Sequence, residues 1–164
     1  MGILTDEMRQ MVNHVRLSFV ATTNQDGTPN LSPKGTVRAV DDEHLVFVDI
    51  ASPQTIKNLR TNPRVEVNSV DFLKRRGYRF KGVAELVSED DAQYAEAIQH
   101  LHATHGPQYS GNHVVRITVN EVRPLLSPAY MFNPEVDERQ LELSWMKRYG
   151  VQPLAPERVE TSDR

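Results

Sequence analysis

The chain has 164 residues, 38% of them hydrophobic and 25% charged, with 22 acidic against 19 basic side chains and a net charge of −3. That size and balance predict one folded domain with its own core and exclude a disordered polyelectrolyte. The absence of cysteine excludes disulfides, thiolate metal sites and a cysteine nucleophile, and the acidic balance argues against a nucleic-acid partner.

In chain order, Thr5-Asp6-Glu7 is a helix start with acids against the dipole, and Met8, Met11, Val12 and Val15 fall on one helical stripe. Leu17 to Thr23 then reads as a strand, and Asp26-Gly27 is a hairpin signal. The return strand spans about Asn30 to Val40, broken near Pro33 and Gly35. Leu45 to Ile50 is a third strand, and Ser52-Pro53 opens a short helix that Asn62-Pro63 closes. Arg64 to Val70 and Tyr78 to Val87 supply two more strands. Ser88 to Asp91 caps a helix ended by Gly106-Pro107, and Val114 to Val122 is the sixth strand. After Pro124 one further helix carries Leu141, Trp145 and Tyr149 on one side, an apolar face that the sheet alone leaves uncovered. Residues 1–150 form a single domain, with 126–150 as a helical arm and 151–164 as a flexible tail. Short turns between the strands predict a mainly β fold with flanking helices, a six-stranded antiparallel barrel. No run of about 18 apolar residues occurs, so no membrane span is expected. The N-terminus lacks the basic start and apolar stretch of a secretory signal, which leaves the cytoplasm as the expected setting.

Four segments carry candidate chemistry. Ser32-Pro33-Lys34-Gly35-Thr36 is a bent strand offering a lysine, two hydroxyls and open N–H groups, suited to an anion such as a phosphate, or else a bulge with a solvated lysine. Ser52-Pro53-Gln54-Thr55 opens a helix, where an anion can sit or Ser52 can simply cap. Lys74 to Lys81 places five basic residues in eight positions with two aromatics. It begins like an RNA-recognition strand, but Arg79 and Val83 stand where a small and an aromatic residue belong. His100, His102 and His105 are spaced poorly for a metal and well for a helix C-terminus. No dinucleotide, phosphate-loop, nucleophile-elbow or zinc-protease motif occurs, so a bound cofactor is expected to supply any chemistry.

The stretch from Leu17 to Val87 resembles the pyridoxamine 5′-phosphate oxidase-like family of flavin-binding split barrels. The matching pieces are Phe19-Val20-Ala21-Thr22, Ser32 to Val37, Ser52 to Leu59, Asn62 to Asn68 and Arg76 to Ala84. The resemblance implies a split barrel of the FMN-binding type and a homodimer with FMN in a groove between subunits. Ser32, Pro33, Lys34, Gly35, Thr36, Ser52, Gln54, Thr55 and Asn58 would hold its phosphate end. Val48 and Asp49 would run beside the ring, Gly77, Tyr78 and Arg79 would approach the ring or ribityl chain, and Trp145 would reach toward the partner's flavin. Lys34, Arg38 or Arg79 would supply a cation near the ring. The sequence departs from the vitamin-making oxidases in carrying Gln54 and Thr55 where they have a basic pair, and their C-terminal Arg and His motif is not evident. The implied function is hydride or electron transfer through FMN. The alternatives are a non-catalytic flavin store or sensor, or haem or a deazaflavin in the same groove, with His14, His44 and His113 as candidate axial ligands for haem.

Overall fold

The computed structural model describes residues 2–153, so the expected tail lies outside the described residues from 154 onward. Helix α1 (Asp6–Val15) begins where the Thr5 side chain accepts from the Met8 N–H, and it buries Val12. Strands β1 (Ser18–Thr23) and β2 (Pro29–Lys34) pair as the expected hairpin, Phe19 opposite Pro33. A two-residue strand β3 (Arg38–Ala39) pairs with β4 (His44–Asp49). Then follow α2 (Pro53–Thr61), β5 (Arg64–Asp71), β6 (Arg76–Leu86), α3 (Ala92–His105), β7 (His113–Leu126), α4 (Pro128–Phe132) and α5 (Glu138–Tyr149).

All seven strands form one antiparallel sheet in the order β2-β1-β5-β6-β7-β4-β3. Six strands were expected; the count is seven because the return strand divides at Gly35-Thr36-Val37, and its downstream piece pairs with β4 instead of β1. The division forces the sheet to curl. β2 and β3 are its two edges, which a flat sheet would hold about 29 Å apart at roughly 4.8 Å per strand. Four Cα steps from Lys34 to Arg38 reach at most about 15 Å. The end of one edge is therefore held within about 15 Å of the start of the other, at a seam, and the sheet curls into a half-barrel.

Inside the curl lie Val20, Leu45, Phe47, Val67, Phe80, Val115 and Ile117, with Val12 of α1 and Ile56 and Leu59 of α2 against them. Strand β4 is buried on both faces, because Val46 and Val48 point outward under Ala97 and Leu101 of α3. That accounts for its unbroken apolar run. The single C-terminal helix expected after Pro124 is two helices. Asn133 is extended, and Pro134 behind it disfavours helical backbone there. The apolar face expected to lie open on α5 instead docks on the β5–β6 turn of its own chain. Trp145 stacks with Arg75 at 4.3 Å, and Tyr149 meets Phe72 edge-on at 5.4 Å. Glu138 bridges Lys74 and Arg76, each at 3.1 Å.

Candidate functional site

The seam is where the sequence candidates converge. The Thr36 hydroxyl donates to the Val48 carbonyl at 2.8 Å and accepts from the Val48 N–H at 3.2 Å, standing in for the next step of the β3–β4 ladder. Beside it is a cavity of 260 Å³ lined by Ser32, Pro33, Lys34, Gly35, Thr36, Val48, Ile50 and Ala51. The bent strand and the end of the third expected strand thus line one slot.

Lys34 lines the slot, but its ammonium turns into the wall. It donates to Ser32 Oγ at 3.1 Å and to Ser52 Oγ, and lies 3.5 Å from Asp49 Oδ1. Ser52 donates its own hydroxyl to Asp49, whose side chain is buried. Burial pushes the Lys34 ammonium below its ordinary value, and Asp49 pulls part of that back. The charge of Lys34 is thus neutralised within the protein, and Ser52, engaged by Lys34 and Asp49, makes no capping bond to α2.

Gln54, Thr55 and Asn58 face the β1–β2 hairpin. Asn58 Nδ2 donates to Thr22 Oγ1 at 3.0 Å and to Asn24 Oδ1 at 2.9 Å. Gln54 Nε2 donates to Asn24 Oδ1, and Asn30 Nδ2 to Thr55 Oγ1. These amides fasten the hairpin to α2, so three residues expected at a phosphate are engaged in protein contacts here. Gly77, Tyr78, Arg79 and Trp145 are not brought to the slot within one chain. A Cβ on Gly77 would lie 2.0 Å from the Ser69 carbonyl, so that glycine serves strand packing. Tyr78 is in the core against Phe80. Arg79 pairs with Glu66 at 3.0 Å on the outer face, in the cross-strand row Pro33–Phe19–Asn68–Arg79.

Two neighbouring cavities bring in residues the sequence reasoning did not place in a site. One, of 320 Å³, lies on the other side of the seam and is lined by Gly35, Thr36, Arg16, Arg38, His100 and His105 among others. Burial, then Arg38 and His105, hold the His100 imidazole below its ordinary value. Arg38 also reaches Glu96 at 3.0 Å. The other, of 680 Å³, runs along α2 past Asp49 to Asn112 and His113. Its helical wall is Pro53, Ile56, Lys57, Arg60 and Thr61, a spacing of one helix face that was legible in the sequence.

The family model described as pyridoxamine 5′-phosphate oxidase matches residues 4–126. The chain belongs to the pyridoxamine 5′-phosphate oxidase family. An uncharacterized protein of Methanocaldococcus jannaschii is 27% identical over 126 residues, 76% of this chain and 82% of that one. The crystal structure of HupZ from Group A Streptococcus is 31% identical, with a TM-score of 0.67 over 76% of this chain and 95% of that one. HutZ, the haem storage protein of Vibrio cholerae, is 18% identical, with a TM-score of 0.59 over 77% and 95%. Other structures of the fold are an FMN-binding protein, an FAD-binding protein and an F420 reductase. At 12%, 21% and 20% identity they share the fold alone.

Within this family fold, none of the three histidines named for haem lines the slot. His44 Nδ1 is bonded to Asp41, His14 lies on α1 beside Glu7, and His113 Nε2 accepts from Arg60 at 3.0 Å. Among the described residues no group of three metal-ligating side chains occurs, and no helix is long and apolar enough to cross a membrane.

Proposed function

We propose that the protein is an FMN-dependent oxidoreductase that works as a homodimer, with the flavin along the Ser32–Thr36 slot and the substrate in the 320 Å³ cavity beyond it. The observation that carries this reading is that Gly35 and Thr36 line both cavities, so two residues of backbone separate a slot from a basic pocket. The residues present fit a flavin: hydroxyls at Ser32 and Thr36, a glycine between them, and an inner wall whose Lys34 and Asp49 cancel in charge. A bound flavin supplies hydride and electron transfer at its ring. The chain itself supplies position and charge. Of the three cations named for the ring, all are paired, Lys34 inside the wall, Arg79 on the outer face with Glu66 and Arg38 with Glu96, but Arg38 alone lines the pocket beside Gly35 and Thr36. Arg38 and Arg16 together attract a substrate bearing an acidic group.

The test is the visible absorption spectrum of the purified protein before and after adding FMN and dialysing. A retained two-banded flavin spectrum, with oxidation of a nicotinamide donor and reoxidation of the flavin, is the expected outcome. Retention of FMN without turnover would make the protein a flavin binder, and a sharp haem band or rejection of FMN would overturn the reading.

A further inference from the structure

Two side chains of the 320 Å³ cavity are set for a ligand in ways that the fold does not require. We propose that this cavity takes a small hydroxycarboxylic acid, its carboxylate on the Arg16 guanidinium and its hydroxyl donating to Nε2 of His105. The inference rests on the reading of this cavity as the substrate's and names the class of substrate.

The acceptor follows from counting protons. Thr104 has one hydroxyl proton and gives it to the His100 carbonyl at 2.7 Å. Its oxygen therefore accepts from His105 Nδ1 at 2.8 Å, which puts the ring proton on Nδ1 and leaves Nε2 an acceptor. The ring is turned toward the seam. A Cβ on Gly35 would lie 3.7 Å from that Nε2 and 3.6 Å from the Arg16 carbonyl. His105 and the end of α1 thus converge on the glycine that also lines the Ser32–Thr36 slot.

Arg16 is the cation. It closes α1 in the left-handed region at φ 62°, a position that usually falls to glycine or asparagine. Strain of that kind clusters at functional sites. Among the described residues no acid or carbonyl engages its guanidinium, whereas Arg38 is taken up by Glu96 at 3.0 Å. No carboxylate is in the described lining, so an incoming one meets no repulsion there, and the planar guanidinium fork suits it. Helix α3 ends at the cavity with His105. The partial negative charge of a helix C-terminus favours a singly charged carboxylate over a dianionic phosphate. Arg16 and Arg38 repel an ammonium, so the donor to Nε2 is a hydroxyl and not the amine of an amino acid. The volume is at the low end of the roughly 300–1,000 Å³ of small-molecule sites, which keeps the acid small, and Val37 and Ala39 receive its carbon body.

Mandelate is the probe, titrated calorimetrically into the full-length protein with and without FMN. Three analogues accompany it: phenylacetate lacks the hydroxyl, phenylglycine carries an ammonium in its place, and mandelamide lacks the charge. Mandelate is expected to bind in both states, phenylacetate about three- to tenfold more weakly, and the other two more weakly still. Arg16→Gly should weaken mandelate about ten- to a hundredfold while the melting temperature holds or rises, since glycine relieves the left-handed φ. In His105→Phe mandelate and phenylacetate should bind alike, which a structural role for the ring would not produce. The proposal is overturned by absent mandelate binding, by phenylacetate or phenylglycine binding as tightly, or by affinity unchanged in Arg16→Gly. Lost binding in Arg16→Gly with a lowered melting temperature would make Arg16 structural and overturn it too. Displacement of mandelate by FMN, or tighter binding of inorganic phosphate, does the same, because the cavity would then be a phosphate seat. A protein that rejects FMN yet binds mandelate through Arg16 and His105 removes the flavin reading and leaves this site standing. One that keeps FMN and ignores mandelate does the reverse.

Discussion

At the scale of the residue, Lys34 and Asp49 decide what the seam can tolerate. Lys34 is a cation with 7% of its surface exposed, and its opposite charge is 3.5 Å away. Removing the lysine leaves a buried carboxylate with only Ser52 and a distant His113 beside it. Lys34→Met is therefore expected to cost about 3–5 kcal/mol of folding stability in urea denaturation, much of it recovered by adding Asp49→Asn. Were Lys34 gripping a phosphate, the loss would fall instead on FMN affinity, about 1.5–3 kcal/mol, with stability nearly unchanged. The lysine itself was legible in the sequence, because a proline and a glycine flank it inside a strand. Its state was not: the carboxylate that neutralises it lies fifteen positions on, across a seam that exists only once the sheet has curled.

At the scale of the element, the C-terminal arm is pinned to one turn by charge. Tyr130 donates its hydroxyl to the Lys74 carbonyl at 2.6 Å, and Glu138, Lys74, Arg76 and Glu7 form a chain of ion pairs. Burial pushes the Glu138 carboxyl up, but hydrogen bonds from Lys74 and Arg76 outweigh it, and the group ends below its ordinary value. A carboxylate held low in the fold contributes stability above its unfolded value, about 4.3, and that contribution disappears as pH falls through the folded value. The protein has one tryptophan, and it lies on Arg75 in this arm. Its emission is expected to shift to the red in acid before the far-ultraviolet dichroism changes, and to be shifted already at neutral pH in Glu138→Gln. Coincident transitions would show that the arm has no separate stability.

The elements differ in how far the sequence showed them. β1, β4, β5 and β6 were legible because apolar residues recur with period two or run unbroken. β3 was not, since two residues carry no period and its partner follows from curvature. The break between α4 and α5 had a signal in Asn133-Pro134 that the helical stripe obscured. The wall of the large cavity was half legible, because Lys57 and Arg60 share a face of α2 but Asn112 and His113 arrive from the far end of the sheet.

At the scale of the whole molecule, two apolar surfaces stand out as open among the described residues. Leu17, Phe19 and Leu31 lie exposed on β1, β2 and the residue before them, next to Pro33 of the slot, and on the arm Phe132 is 85% exposed and Met131 67%. Patches of this kind on a folded domain mark contact surfaces. A second copy covering the first patch would also cover the Ser32–Thr36 slot, so on the proposed function association and cofactor binding should be linked. Light scattering is expected to give about twice 18.7 kDa, and Phe19→Ser with Leu31→Ser to give a monomer that holds FMN weakly. A monomeric wild-type protein that keeps FMN through dialysis would break the link.

The seam also bears on how the chain behaves in a crowd. An open sheet has two edges, and a free edge is a template on which another strand can add. Here one edge is β3, only two residues long. The other is β2, in which Pro29 and Pro33 have no N–H to offer and Lys34 points inward. Neither edge can extend an aggregate strand by strand, so the features that open the barrel for a ligand also keep it from recruiting its neighbours.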